Sequence, residues 1–247
     1  WIVSPNAPST PSYLLIGMPG VGATSTKGFM AALAAFLNQE LPEARVGVMV
    51  GQGMDGLPLQ SPSLVSTGYL STDDPGVLLL HIAKKYPAAP IIVIACSIAA
   101  GHWVRFVGAN EGLCRKVNVV GSVVLCFGYS VEVTSAAGDA ALGVAGFCLS
   151  NWKESARANE DYLRSLEFSR PGFSYDRLLE AQTIQQFEEA TYALYGWRNR
   201  EEFLQAVETK EHAHSIRLPM FYIGTDDDPL TPASRLLEAN LLCDCPS

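Results

Sequence analysis

Apolar and polar positions along the chain fall into two alternating kinds of block. Short, near-continuous apolar runs occur at Tyr13–Ile16, Ala44–Val50, Ile91–Cys96, Val117–Phe127 and Leu218–Gly224. Their Ile and Val content predicts strands buried on both faces of a sheet. Between them, Lys27–Leu41 repeats apolar residues at helical spacing (Phe29, Leu33, Phe36, Leu37). Asp73–Tyr86 predicts a second helix, closed by Pro87 and Pro90, and the residues after Ser97 a third. Strands alternating with helices predict a mainly parallel sheet with helices on both faces.

The pattern changes in the second half. Helical segments dominate between residues 134 and 213, as in NWKESARANEDYLRSL, TIQQFEEATYALY and NREEFLQAVETK. They predict a helical cap inserted over the carboxyl edge of the sheet. The expected organisation is one domain over 1–247, with a core of 13–133 and 214–247 and a cap insertion of 134–213.

Composition narrows the chemistry. A chain of 247 residues that is 48% hydrophobic can bury one sizeable core. A net charge of −8 with no Lys/Arg cluster excludes nucleic acid as the expected partner. The longest apolar run, Ala88–Gly101, contains Pro90 and is too short to span a bilayer. The six cysteines form neither C-x-x-C nor a zinc spacing, so no metal or other cofactor is expected. They read as reduced thiols of an intracellular compartment, with Cys96 and Cys126 as small core hydrophobes. The chain begins at Trp1, and a removed organellar, mitochondrial targeting peptide would account for that.

Two stretches hold candidate chemistry. GMPGVG, after the first strand, spaces Gly17 and Gly22 as a phosphate-binding loop does, but Ala23 stands where the lysine is needed. The dinucleotide fingerprint fails at Ser25, so a glycine-rich turn is the preferred reading. The second stretch, Ala95-Cys96-Ser97-Ile98-Ala99, lies between a strand and a helix, where an exposed serine can act as a nucleophile. A first loop (IGMPG), a serine turn (ACSIA) and an acid loop after a later strand (IGTDDDP) follow the α/β-hydrolase order. In that order Ser97 takes the nucleophile position and Asp228 the acid position, with Asp227 as the alternative. The backbone amides of Met18 and Ile98 take the oxyanion-hole positions.

The sequence resembles the YheT-like, embryogenesis-associated branch of α/β-hydrolases. DGLPLQSP, YPAAPIIVIACSIAAG, TIQQFEEATYALYGWRNREEFLQA and TDDDPLTP carry the resemblance, in order, over nearly the whole chain from Tyr13. It implies an esterase- or lipase-like fold acting on acyl lipids or other esters. Several positions depart from the branch pattern. Ile16-Gly17 replaces His-Gly, Ala95 and Ala99 replace the glycines flanking the serine, and Gln52-Gly53 replaces Arg-Gly. The family's histidine follows its acid, yet His81, His102, His212 and His214 all precede Asp228. These departures lead to the expectation of a catalytically degenerate domain serving as an accessory subunit of a larger assembly. Partner subunits would then cover the carboxyl-terminal sheet edge, around Leu218–Ile223 and Leu236–Leu242. The alternative is a serine ester or lipid hydrolase that uses Ser97 and Asp228 with a histidine from a further carboxyl-terminal segment. His102 as a substitute base and Cys96 as an alternative nucleophile stay open behind their simpler readings as packed residues.

Overall fold

The computed structural model describes residues 11–23, 25–26, 28–53, 56–60, 73–141 and 143–231. The sequence expectation at Leu236–Leu242 lies outside them. Among the described residues five strands form one sheet: β1 (Tyr13–Met18), β2 (Ala44–Val48), β3 (Ile91–Cys96), β4 (Val119–Leu125) and β5 (Met220–Ile223). All neighbouring pairs are parallel, in the order β2-β1-β3-β4-β5. The helices α1 (Gly28–Glu40), α2 (Asp73–Lys85) and α3 (Ile98–Lys116) connect the first four strands.

Strand alternation distributes the core. Leu14, Ile16 and Met18 of β1 pack with Val93 and Ala95 of β3, under α2 and α3. Leu15 faces the other way, joining Val46 of β2 and Met30 and Ala34 of α1. The sheet is thus covered on both faces, as its continuous apolar strands require. At the centre of the larger cluster, the Trp103 indole N–H donates to the Ser122 hydroxyl of β4 at 2.8 Å, so its one polar group is satisfied in the core.

β1 runs two residues beyond its apolar stretch. Gly17 pairs with Val48 on one side and Ile94 on the other, and Met18 pairs with Ala95. Gly17 is therefore a strand residue rather than part of a loop. A Cβ there would stand 2.5 Å from the Met30 sulfur, so the missing side chain lets α1 close onto the sheet.

Seven further helices join β4 to β5 among the described residues. They are α4 (Val131–Ala140), α5 (Val144–Ala158), α6 (Glu160–Glu167), α7 (Tyr175–Glu180), α8 (Ile184–Tyr195), α9 (Arg200–Val207) and α10 (Lys210–Ala213). Their apolar faces form a second core around Trp152, Leu163, Leu178 and Phe187. Asp139 of α4 ties two of them together. Its two oxygens accept from the Ile184 and Gln185 amides, at 2.5 and 3.2 Å, at the positive end of α8. Val21 and Ile98 also pack against this second core, so it rests on the carboxyl ends of β1 and β3.

The sheet order has one switch point. From β1 the chain steps outward to β2, and then crosses back to lay β3 on the other side. In open α/β sheets the crevice outside the strand ends at such a point is where ligands bind.

Candidate active site

Ser97 stands at that switch point, between the last residue of β3 and the first of α3. Its backbone has φ 57 and ψ −126, a conformation that costs a non-glycine residue about 1–3 kcal/mol. The turn is held from both sides: the Ser97 amide donates to the Leu125 carbonyl at 2.8 Å, and the Ser97 carbonyl accepts from Ala100 at 2.9 Å. A serine at a helix start ordinarily caps it with its hydroxyl. Ser97 makes no such bond, and it lines a cleft. Ala95 and Ala99, at 0% and 8% exposure, are absorbed into the core, so the turn forms with alanine at both flanks.

The β1–α1 loop meets Ser97 at Gly20. A Cβ at Gly20 would lie 2.9 Å from the Ser97 Cβ and 3.3 Å from the Cys96 carbonyl oxygen. Nothing in the sequence marks Gly20 for this role, because a glycine needed for a tertiary approach reads like any turn glycine. Met18, the expected oxyanion position on this loop, closes β1 and is buried in the main core. Ile98 opens α3 and lines the cleft, and the first amides of α3 have no partner within the helix. These amides and their dipole favour negative charge beside Ser97.

Asp228 reaches the same cleft from the loop after β5. Its Oδ1 accepts the Leu230 amide at 2.8 Å and the Thr231 amide at 3.0 Å, and its Oδ2 accepts the Thr231 hydroxyl at 2.8 Å. Asp226 and Asp227 are exposed. The geometry thus brings Ser97 and Asp228 to one cavity.

Two cysteines adjoin the pair. Cys126 corrects the expectation of a core residue. It is exposed, has φ 50 and lines the cleft, because β4 ends at Leu125 and the chain turns there. Although the residue is exposed, its sulfur is partly covered, which pushes the thiol up, and the Asp228 charge and an S–H bond to Asp228 push it further. Cys96 lies on the α1 side of the sheet, as strand alternation predicts. Burial first, then Cys126 and Asp228, push its thiol up to about 11. Tyr222 is pushed up to about 12 by burial, with the same two groups adding to it.

The histidines are dispersed. His102 lines the cleft, about a turn along α3 from Ser97. His81 borders a separate groove beside β2. His212 packs on Gly108 of α3, where burial and then the Arg105 charge hold its imidazole below the usual range. His214 follows α10. Among the described residues, no group of three or more His, Cys, Asp or Glu side chains is placed to hold a metal ion.

The remaining wall is mostly apolar. Val21, Val131, Trp152, Ile184 and Leu230 line it, and Val131, Trp152 and Ile184 come from the helices between β4 and β5. The Ser135 hydroxyl on this wall donates to the buried Glu188 carboxylate at 2.5 Å.

No family model matches the chain. Among curated proteins it is 22% identical over 224 residues to a monoacylglycerol lipase, ABHD2, of Danio rerio, covering 88% of this chain and 52% of that protein. The human monoacylglycerol lipase ABHD2 is 22% identical over 227 residues, with the same coverage of 88% and 52%. A phospholipase, ABHD3, of Mus musculus is 19% identical over 229 residues, covering 92% and 53%. The chain spans about half the length of the curated relatives it matches. Among solved structures, a lipase-esterase related protein from Clostridium acetobutylicum aligns with a TM-score of 0.50 at 14% identity, covering 92% of this chain and 80% of that one. MGS-M2, an alpha/beta hydrolase enzyme from a deep-sea metagenome library, aligns with a TM-score of 0.50 at 10% identity, covering 92% and 76%. The parallel sheet order, the strained serine turn after β3 and these likenesses converge on one architecture: the chain has the α/β-hydrolase fold.

Proposed function

We propose that the protein is a serine hydrolase of carboxylic esters, with acyl lipids as its substrate class, from the YheT-like branch of the fold. The observation that carries this reading is the Ser97 backbone, held at φ 57 and ψ −126 with its side chain on the cleft. Strain of this kind persists only where the surroundings over-determine it, and it clusters at working sites. The mostly apolar wall suits an acyl chain. The relatives, a monoacylglycerol lipase and a phospholipase, support the same class.

In this reading the Ser97 hydroxyl attacks the ester carbonyl and its proton passes to a base. The carbonyl oxygen, now negative, is held by backbone amides at the start of α3, Ile98 first. The alcohol leaves with a proton from the protonated base, and water then releases the acid from the acyl-serine. Asp228 orients the base. The base in this reading is a histidine from a further segment of the protein, and His102, which also lines the cleft, is the alternative.

The test is labelling by a fluorophosphonate probe, on residues 1–247 and on the full-length native protein, with Ser97→Ala as control. Labelling that disappears in Ser97→Ala supports the hydrolase. Loss of labelling in His102→Ala alone makes that residue the base. Absence of labelling in both proteins favours a second reading, the degenerate domain held in an assembly. One observation supports that second reading: Phe221 and Ile223 on β5 are 65% and 46% exposed, an apolar strand face that a partner subunit would cover. Sedimentation of the native protein at rising concentration tests it, and a monomer throughout would count against it.

A further inference from the structure

Asp228 and the residues that grip it carry an inference that rests on the hydrolase reading. Pro229 follows Asp228 and has no N–H, so the first amides that can turn back to the carboxylate belong to Leu230 and Thr231. Both do so, and both choose Oδ1, at 2.8 and 3.0 Å. Those two bonds hold one oxygen only. The second, Oδ2, accepts the Thr231 hydroxyl at 2.8 Å, and the Cys126 S–H is a further donor to the carboxylate. Thr231 thus holds both oxygens of Asp228, one with its amide and one with its side chain. It is 9% exposed, so water competes poorly for the hydroxyl. Pro232 comes next in sequence and disfavours helical geometry at Thr231, which limits the positions its side chain can reach.

The other cleft hydroxyls with assigned partners bond elsewhere. Ser135 donates to Glu188, and Thr209 donates to the Gly128 and Tyr129 carbonyls. We infer that Thr231 is a positioning residue, which fixes the Asp228 carboxylate so that one oxygen stays aimed at the base of Ser97. A carboxylate fixed in this way orients its partner as outer-shell groups orient the ligands they touch.

The test uses the full-length native protein and the second-order rate of fluorophosphonate labelling at Ser97, measured per folded molecule from about pH 5 to pH 9. Thr231→Val removes the hydroxyl at similar volume and should slow labelling about 10-fold or more. It should also displace the pH profile. Thr231→Ser keeps the hydroxyl and should stay within about twofold of the parent. If Thr231→Val does not fold, Thr231→Ala replaces it with the same expectation. A Thr231→Val protein with the parent's rate and pH profile overturns the inference, as does a Thr231→Ser protein as slow as Thr231→Val. A parent that is not labelled at Ser97 fails earlier and sinks the hydrolase reading itself, which separates the two failures.

Discussion

Gly20 and Ser97 touch: a Cβ on the first would stand 2.9 Å from the Cβ of the second, closer than side-chain carbons approach. The loop after β1 and the turn after β3 are therefore fitted to each other at backbone level. Gly20→Ala should push the loop off Ser97 at a cost of about 1–3 kcal/mol in unfolding free energy. Fluorophosphonate labelling at Ser97 should fall by more than the stability loss explains, since the reacting group is what moves. Equal labelling in Gly20→Ala and the parent would show that the loop plays no part in the reaction.

The strained turn has a stability signature. Glycine adopts a positive φ without the cost that serine bears. Ser97→Gly should therefore raise the urea midpoint, by about 1 kcal/mol in unfolding free energy, while abolishing labelling. Ser97→Val, β-branched in the same conformation, should lower it. Equal midpoints for all three proteins would mean that the turn relaxes and Ser97 is not held.

Alkaline pH should weaken the fold through Cys96. Its thiol is pushed up to about 11 in the folded protein from an ordinary 9.0, so the native state keeps a proton that the unfolded chain gives up. That contribution is complete below pH 9.0 and disappears as pH rises through about 11. The Tyr222 phenol, pushed up from 10.0 to about 12, adds a loss of the same sign that begins higher. Urea midpoints measured across this window should fall, and fall less in Cys96→Ala. Iodoacetamide should modify Cys126 slowly at neutral pH and faster as pH rises, because burial and Asp228 hold its thiol protonated.

Asp139 holds the start of α8 from α4, with one carboxylate oxygen on each of two amides. Asp139→Ala should cost about 1–2 kcal/mol. Asp139→Asn keeps one acceptor oxygen and should cost about half as much. Hydrogen exchange at the Ile184 and Gln185 amides should accelerate in both, and unchanged exchange there would show that the bonds do not form in solution.

The sheet was legible because its strands are buried on both faces. Ile91–Cys96 and Val119–Leu125 read as strands from Ile and Val content alone. The extra residues of β1 were not, since Gly17 looks like a turn until Met30 is seen to occupy the space of its side chain. Asp-Pro after an apolar run pointed to Asp228. The grip of Thr231 on Asp228 was hidden, because a threonine before a proline reads simply as turn. Cys126 was misread because a positive φ at a strand end depends on where the chain turns, which apolar content does not encode.

The aromatic residues also make the molecule its own optical instrument. Trp103 lies in the core shared by the sheet with α2 and α3, stacked on Phe106 at 5.5 Å. Trp152 lies in the core of the helices between β4 and β5, 5.2 Å from Phe187, and borders the cleft. Trp197 belongs to a third cluster, with Tyr192 and Phe203. Emission from variants that keep one of these indoles would follow each core separately, and an acyl chain entering the cleft would alter the Trp152 signal while leaving that of Trp103 in place.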